Sequence, residues 1–244
     1  MEQSARSFSC EQRKALFVSG SGLFSQSAST MLLSFVLASM MTSFHVNGAA
    51  GGFISTITNI GMLAGGLIFG PMADRNGRMR IFAVTTIIYA GATGLMAIAT
   101  NIQMVYLFRF LVGVGGGGVY GAIMSMVADV FRNDQRGRIT SYVTILGQIG
   151  SIIAALAAAI IIPILGWRGL FVFGAVPILL GFYVYFKMPE SKQWLESKNE
   201  LINQRNSKIT LLDLFRDGRA SNTIKLIIMA TVQIAGYFGL MNWL

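Results

Sequence analysis

A chain of 244 residues that is 54% apolar and only 12% charged carries about half the charge of a soluble domain, so a soluble globular protein is excluded. A net charge of +9 would suit a nucleic-acid partner, but the basic residues fall in the gaps between apolar runs rather than on one stripe or tail, and no nucleic-acid role is expected. One cysteine, Cys10, and one histidine, His45, exclude disulfides within the chain and leave a metal almost no ligands, so neither a metal nor a cofactor is expected.

Residues 1–14 form a polar tail with Arg6, Arg13 and Lys14, and no secretory cleavage site follows the first apolar run. Apolar runs then recur, each long enough to cross about 30 Å of hydrocarbon as a helix. They predict spans over residues 15–41, 51–72, 81–100, 104–127, 139–163 and 170–186. The connections are a turn at 42–50 holding His45, a charged loop at 70–80, a turn at 101–103, a charged loop at 129–138, and a turn with Gly166, Trp167 and Arg168. Residues 187–223 are rich in Lys, Asn, Ser and acids, and 224–244 are a seventh apolar run. The expected organisation is therefore a cytoplasmic tail (1–14), a six-helix transmembrane bundle (15–186), a cytoplasmic loop (187–223) and a seventh transmembrane helix (224–244). The fold class is all-α, a polytopic membrane protein.

Basic residues set the orientation. Seventeen of the nineteen fall on one side of this arrangement, Arg168 alone on the other, and Arg109 within the fourth span. The N-terminus and the long loop are then cytoplasmic, in a plasma or bacterial inner membrane.

Several spans carry polar residues. Arg109 lies about six residues, or ~9 Å, past the outer turn. An intramembrane charge is a functional candidate by default; it binds an anionic substrate or relays charge, or else it bonds neighbouring carbonyls or snorkels outward. In span one, Ser21, Ser25 and Ser29 recur at every fourth position with Gln26 close to the same side. They form a cavity wall, or their hydroxyls bond back to helix carbonyls. Gln148 in span five and Gln233, Tyr237 and Asn242 in span seven are further cavity candidates, with packing or interfacial anchoring as the plainer alternative. No span supplies a mid-membrane carboxylate; Asp129 sits at an inner end.

Gly113-Val-Gly115-Gly-Gly-Gly118 matches a dinucleotide-binding pattern, but it lies inside an unbroken apolar run with no strand–turn–helix unit. Gly113, Gly117 and Gly121 instead mark a helix face that another helix can approach closely, and Gly61/Gly65 and Gly66/Gly70 repeat the spacing. The loop Gly70-Pro-Met-Ala-Asp-Arg-Asn-Gly-Arg-Met-Arg80 combines two glycines for a tight reversal, an acid that caps a helix or pairs with arginine, and three arginines that hold the loop outside the lipid.

This loop resembles the signature loop between helices two and three of the major facilitator superfamily. Arg109-x-x-x-Gly113-x-Gly115-x-Gly117 resembles its helix-four motif, and Asp129 followed by Arg136-Gly137-Arg138 resembles its repeat after helix four. Gly166-Trp167-Arg168 and Pro189-Glu190-Ser191-x-x-Trp194-Leu195 resemble the sugar-porter and the organic-acid or metabolite:proton symporter branches. The resemblance covers about residues 15–244. It implies two six-helix halves with a substrate site between them, and hence five further helices. A fragment of a longer chain is expected, ahead of a half-transporter that pairs with a second chain.

The resemblance further implies a secondary active transporter of a small organic solute, working by alternating access. Arg109 puts an organic acid first and the Pro189–Leu195 segment puts a sugar second. Gly70, Asp74, Arg75, Gly77, Arg78, Arg80, Asp129 and Arg136 are the implied gating motif. Its partners are the solute, membrane lipid, the missing half and, if transport is coupled, protons. Several related symporters carry aspartates where this chain has Gln26 and Ser29, so the obvious proton carriers are absent from span one. The alternatives of another class are a non-transporting membrane sensor or scaffold, and an inactive truncated half. No nucleophile–base–acid set points to an enzyme.

Overall fold

The computed structural model describes residues 8–190, 194 and 195, and scattered positions between 221 and 232. Most of the expected seventh helix, including Gln233, Tyr237 and Asn242, and most of the 187–223 loop lie outside the described residues. Everything below concerns the compact unit within Met1–Lys198.

α1 (Cys10–Phe44) opens with a capping box, in which Ser9 Oγ accepts from the Gln12 N–H at 3.2 Å and Gln12 Oε1 accepts from the Ser9 N–H at 3.0 Å. It ends at His45 in the left-handed conformation (φ 51°, ψ 43°). Asn47 then caps α2 (Gly48–Asn76), and Asn101 caps α4 (Ile102–Val130) through the Met104 N–H at 2.8 Å. Between them α3 (Arg78–Leu95) tightens into a 3₁₀ turn at Met96–Ile98. α5 (Asn133–Gly174) and α6 (Pro177–Lys187) complete the order, with proline at the first turn of α6 where its missing N–H costs nothing. Among the described residues there is no strand, and the long apolar helices make this an integral membrane bundle.

Two expected loops are mostly helix. α2 runs through Pro71 to Asn76 and α3 begins at Arg78, so loop 70–80 shrinks to a one-residue joint, Gly77, at φ 106° and ψ 137°. That backbone conformation is open to glycine and strained for anything else. Loop 129–138 shrinks likewise to Phe131 and Arg132. Charged side chains mark where helices leave the lipid, but helices need not stop there, because each further turn satisfies its own backbone.

The reversal expected at 166–168 is present inside α5, at Gly166 (φ 67°, ψ −173°). Before it, α5 runs alongside α1 in the same direction: Gly147 abuts Leu23 and Ser27, Gly150 abuts Phe24, and at the reversal Trp167 Nε1 donates to Ser43 Oγ at 3.2 Å. After it the chain returns: Gly174 abuts Leu32 and Thr93, and Gly181 abuts Ala83 and Ile87. Residues 133–187 therefore make two crossings.

The bundle is built from close pairs. α2 packs on α4, α1 on α5, and α3 on both α4 and α6. On the α2–α4 seam a Cβ at Gly65 would lie 2.0 Å from the Val114 carbonyl oxygen, and one at Gly117 2.1 Å from that of Met62. Gly61 and Gly113 face each other in the same way, so the two backbones touch. Apolar side chains gather in two buried clusters. One, around Val18, Phe82, Ile123 and Val143, lies toward the end where α2 meets α3; the other, around Val36, Met40, Phe108 and Phe171, lies toward the opposite end. Ser29, Thr93 and Arg109 fall between them along α1, α3 and α4. The end carrying Arg75, Arg78, Arg80, Arg132, Arg136 and Arg138 is called the basic end below.

Candidate functional site

Three parts of the chain build the joint at Gly77. α3 begins with Arg78 and Arg80, where a helix favours acids, and Gly77 supplies no side-chain cap. The Glu190 carboxylate fills the vacancy from 110 positions away. Its Oε2 accepts from the Met79 N–H at 3.1 Å and its Oε1 from the Arg80 N–H at 2.8 Å. A Cβ at position 77 would lie 2.3 Å from Glu190 Oε1, so glycine is required for the carboxylate as well as for the backbone angle. Trp194 Nε1 donates to the Asp74 carbonyl at 2.9 Å. The segment after α6 is thereby tied to the end of α2 and the start of α3.

Arg78 turns toward α4. It pairs with Asp129, donates to the Ser125 carbonyl, and reaches Asp74 Oδ1 at 3.3 Å. The Asp129 side chain is 24% exposed and that of Asp74 65%, so the pair with Asp129 is the sheltered one and carries the interaction. Arg136 Nε donates to the Phe131 carbonyl at 3.0 Å and braces the next joint. Arg75 and Arg80 make no ion pair among the described residues; Arg80 lies over the Tyr185 ring, 5.7 Å from its centroid.

The second constellation lies inside the bundle. Arg109 is 2% exposed, and its guanidinium lies 5.2 Å from the centroid of the Phe171 ring. Its Nε and Nη2 are buried with no hydrogen-bond partner, and no carboxylate pairs with it among the described residues. A guanidinium with two free N–H donors matches a carboxylate edge-on. Two turns along the same face of α4, Gly116 leaves a gap beside Gln26, whose Nε2 would be 3.5 Å from a Cβ there.

The polar stripe of span one divides. Ser29 shares a buried hydrogen bond with Thr93 of α3 at 3.1 Å, and Ser25 donates back to the Ser21 carbonyl at 2.7 Å. Gln26, about 100° further round the helix, is half-buried and donates to the exposed Thr30 at 3.4 Å. Ser29 thus joins α1 to α3, Ser21 and Ser25 bond back to carbonyls of their own helix, and Gln26 does not share their face. Gln148 is exposed on α5, between Gly147 and Gly150, which face α1.

The family description "Major Facilitator Superfamily" matches residues 19–244. The chain belongs to the Major Facilitator Superfamily. It is 31% identical over 235 residues to a putative metabolite transport protein of Haemophilus influenzae, covering 95% of this chain and 58% of that protein. It is 31% identical over 206 residues to the niacin transporter NiaP of Acinetobacter baylyi, covering 81% of this chain and 47% of that one. Among solved structures, the inward-open xylose transporter XylE of Escherichia coli shares the fold with a TM-score of 0.65 at 19% identity, over 90% of this chain and 56% of that one. The chain spans about half the length of the curated relatives it matches.

Within this superfamily fold, Gly77, Arg78, Asp74 and Asp129 come together at one joint, while the side chains of Arg75 and Arg80 point away from it and Gly70 has open space around it. Gly113 and Gly117 lie in the α2–α4 seam; Gly121 meets nothing within 4 Å and lies beyond it. Sequence reasoning did not single out Glu190, Trp194, Ser125, Phe171 or Thr93 as partners. For Glu190 a signal existed: the acid-free, arginine-rich start of α3 calls for an acid from elsewhere. For Phe171 and Thr93 there was none, since apolar and hydroxyl residues in a span read alike whatever they touch.

Proposed function

We propose that this chain forms one bundle of an alternating-access transporter for a small organic carboxylate, with the N-terminus and the basic end in the cytoplasm. The observation that carries the reading is Arg109, a buried guanidinium with free N–H donors and, among the described residues, no carboxylate beside it. An uncompensated buried charge is strongly destabilising, and an anionic solute is the group that relieves it. Relatives support the same class: they are named as transporters of niacin, sialic acid, cis,cis-muconate and benzoate, all carboxylic acids. The likeness to a xylose transporter concerns the fold alone and does not favour a sugar. Orientation rests on the basic bias. Gln26 and Gln148, on the polar open faces of α1 and α5, contact the solute's uncharged part. The Gly77 joint, with Arg78, Asp129 and Glu190, is the cytoplasmic gate element.

The test is uptake of labelled niacin and benzoate by the protein in vesicles, against the uncharged nicotinamide. Arg109→Ala raises KM for the two acids by about 10- to 100-fold, the loss of one or two charged hydrogen bonds, and Arg109→Lys recovers part of it. An unchanged KM in Arg109→Ala, or equal uptake of the uncharged amide, refutes the anion site. Uptake of no acid at all by the intact protein points to the sensor or scaffold reading.

A further inference from the structure

A groove opens at the basic end between α2, α3 and α6, beside the Gly77 joint and apart from Arg109. Arg75, Arg80 and Tyr185 line its rim, and Phe69, Met72 and Val84 line it one to two helical turns deeper into the hydrocarbon. Its position is peripheral. α6 packs on α3, and its outer side presents Leu179, Phe182 and Phe186 at 68%, 45% and 73% exposure, an apolar face suited to lipid. The polar open positions Gln26, Thr30 and Gln148 belong to α1 and α5 instead.

The charges at the rim, Arg75 and Arg80, form no ion pair among the described residues. Glu190, beside Arg80, has both oxygens committed to the N–H groups of Met79 and Arg80. Tyr185 holds the Arg80 guanidinium over its ring and fixes it at the groove mouth. Two cations at the basic end above an apolar wall of Phe69, Met72, Ile81 and Val84 fit one ligand shape: an anionic headgroup continued by an acyl chain. A free phosphate has no use for the wall, and a zwitterionic lipid brings a second charge that the arginines repel. Basic pockets between transmembrane helices on the cytoplasmic side bind anionic headgroups on these grounds.

We infer that the groove is a binding site for an anionic phospholipid, the phosphate between Arg75 and Arg80 and one acyl chain along Phe69, Met72 and Val84. The site shares a residue with the gate joint: the lipid engages the Arg80 side chain while Glu190 engages its N–H. Bound lipid therefore steadies the first turn of α3.

The experiment is retention of phosphatidylglycerol by the intact protein in detergent, counted by native mass spectrometry. Phosphatidylcholine and glycerol 1-phosphate serve as competitors. Wild-type protein retains phosphatidylglycerol, and neither competitor displaces it. The double variant Arg75→Ala/Arg80→Ala binds it about 30-fold more weakly, from the usual contribution per basic group. Val84→Trp, which fills the groove and keeps both arginines, also loses it, and Arg132→Ala, an exposed arginine of the same end, does not. The inference is overturned if both the double variant and Val84→Trp retain the lipid like wild type. It is equally overturned if phosphatidylcholine competes as well as phosphatidylglycerol, or if glycerol 1-phosphate displaces the lipid, which would make the site one for a soluble phosphate.

Discussion

Glu190→Ala tests the construction of the Gly77 joint most directly. The substitution removes the acceptor from two N–H groups, those of Met79 and Arg80, and leaves α3 to begin on Gly77 with no cap and two arginines. A hydrogen bond to a charged acceptor contributes about 1.5 kcal/mol at the low end, and a neutral one about 1 kcal/mol. The charge at the helix N-terminus adds about 0.5 kcal/mol at a partly exposed site. Discounting for solvent at this half-buried position, the loss is about 2–3 kcal/mol, confined to the first turn of α3. Glu190→Gln keeps one acceptor and loses the charge, so it costs about half as much. Hydrogen exchange followed by mass spectrometry reads the effect locally. Peptides containing Met79 and Arg80 should exchange about 30- to 150-fold faster in Glu190→Ala, while peptides from the α2–α4 seam stay unchanged. The transport rate should fall with the protection if the joint is the gate. Unchanged protection at Met79 and Arg80 would refute the cap.

Other consequences follow from the same geometry. Gly117→Val must widen the Met62 contact from 2.1 Å to an ordinary 3.4 Å, so it should destabilise by about 1–3 kcal/mol or more in thermal unfolding. Gly121→Ala, in open space on the same helix, should leave stability unchanged or raise it by about 0.5–1 kcal/mol. Asp129→Asn removes the sheltered partner of Arg78 and should cost about 1–2 kcal/mol in the same assay, whereas Asp74→Asn, at 65% exposure, should cost less than about 0.5 kcal/mol. Equal effects of the two substitutions would overturn the assignment of Arg78 to α4.

The crossings were legible because hydropathy over some twenty residues reports burial in lipid without regard to partners. The reversal at Gly166 and the seam glycines were legible too, since a missing side chain has few reasons to recur at helical spacing. Helix ends were not. Polar residues at 70–80 and 129–138 read as loops, yet both stretches are helical to within one or two residues. Solvent exposure and loss of helix are separate properties, and the sequence pattern reports only the first. The serines of α1 are ambiguous in another way: Ser21, Ser25 and Ser29 lie in one row, but hydroxyls that bond back to their own helix, as at Ser21 and Ser25, or across to α3, as at Ser29, have the same spacing as a cavity wall. The pairing of Glu190 with α3 lies beyond any local pattern, because it joins residues 110 positions apart.

The seam between α2 and α4 bears on how such a bundle deforms. Where backbone meets backbone across Gly61, Gly65, Gly113 and Gly117, no rotamer lies between the helices to be rearranged. Two packed elements usually slide past each other by exchanging side-chain positions, and here that lubricant is missing. The pair behaves as a double-walled beam that tilts whole or not at all. Bending is left to places where the helical ladder is already interrupted, among them Gly77, Phe131–Arg132, Gly166 and the Ala175–Val176 step. Two of these, Gly166 and Ala175–Val176, fall within one short stretch at the start of the crossing that ends at α6, so that crossing is the compliant strut of the frame.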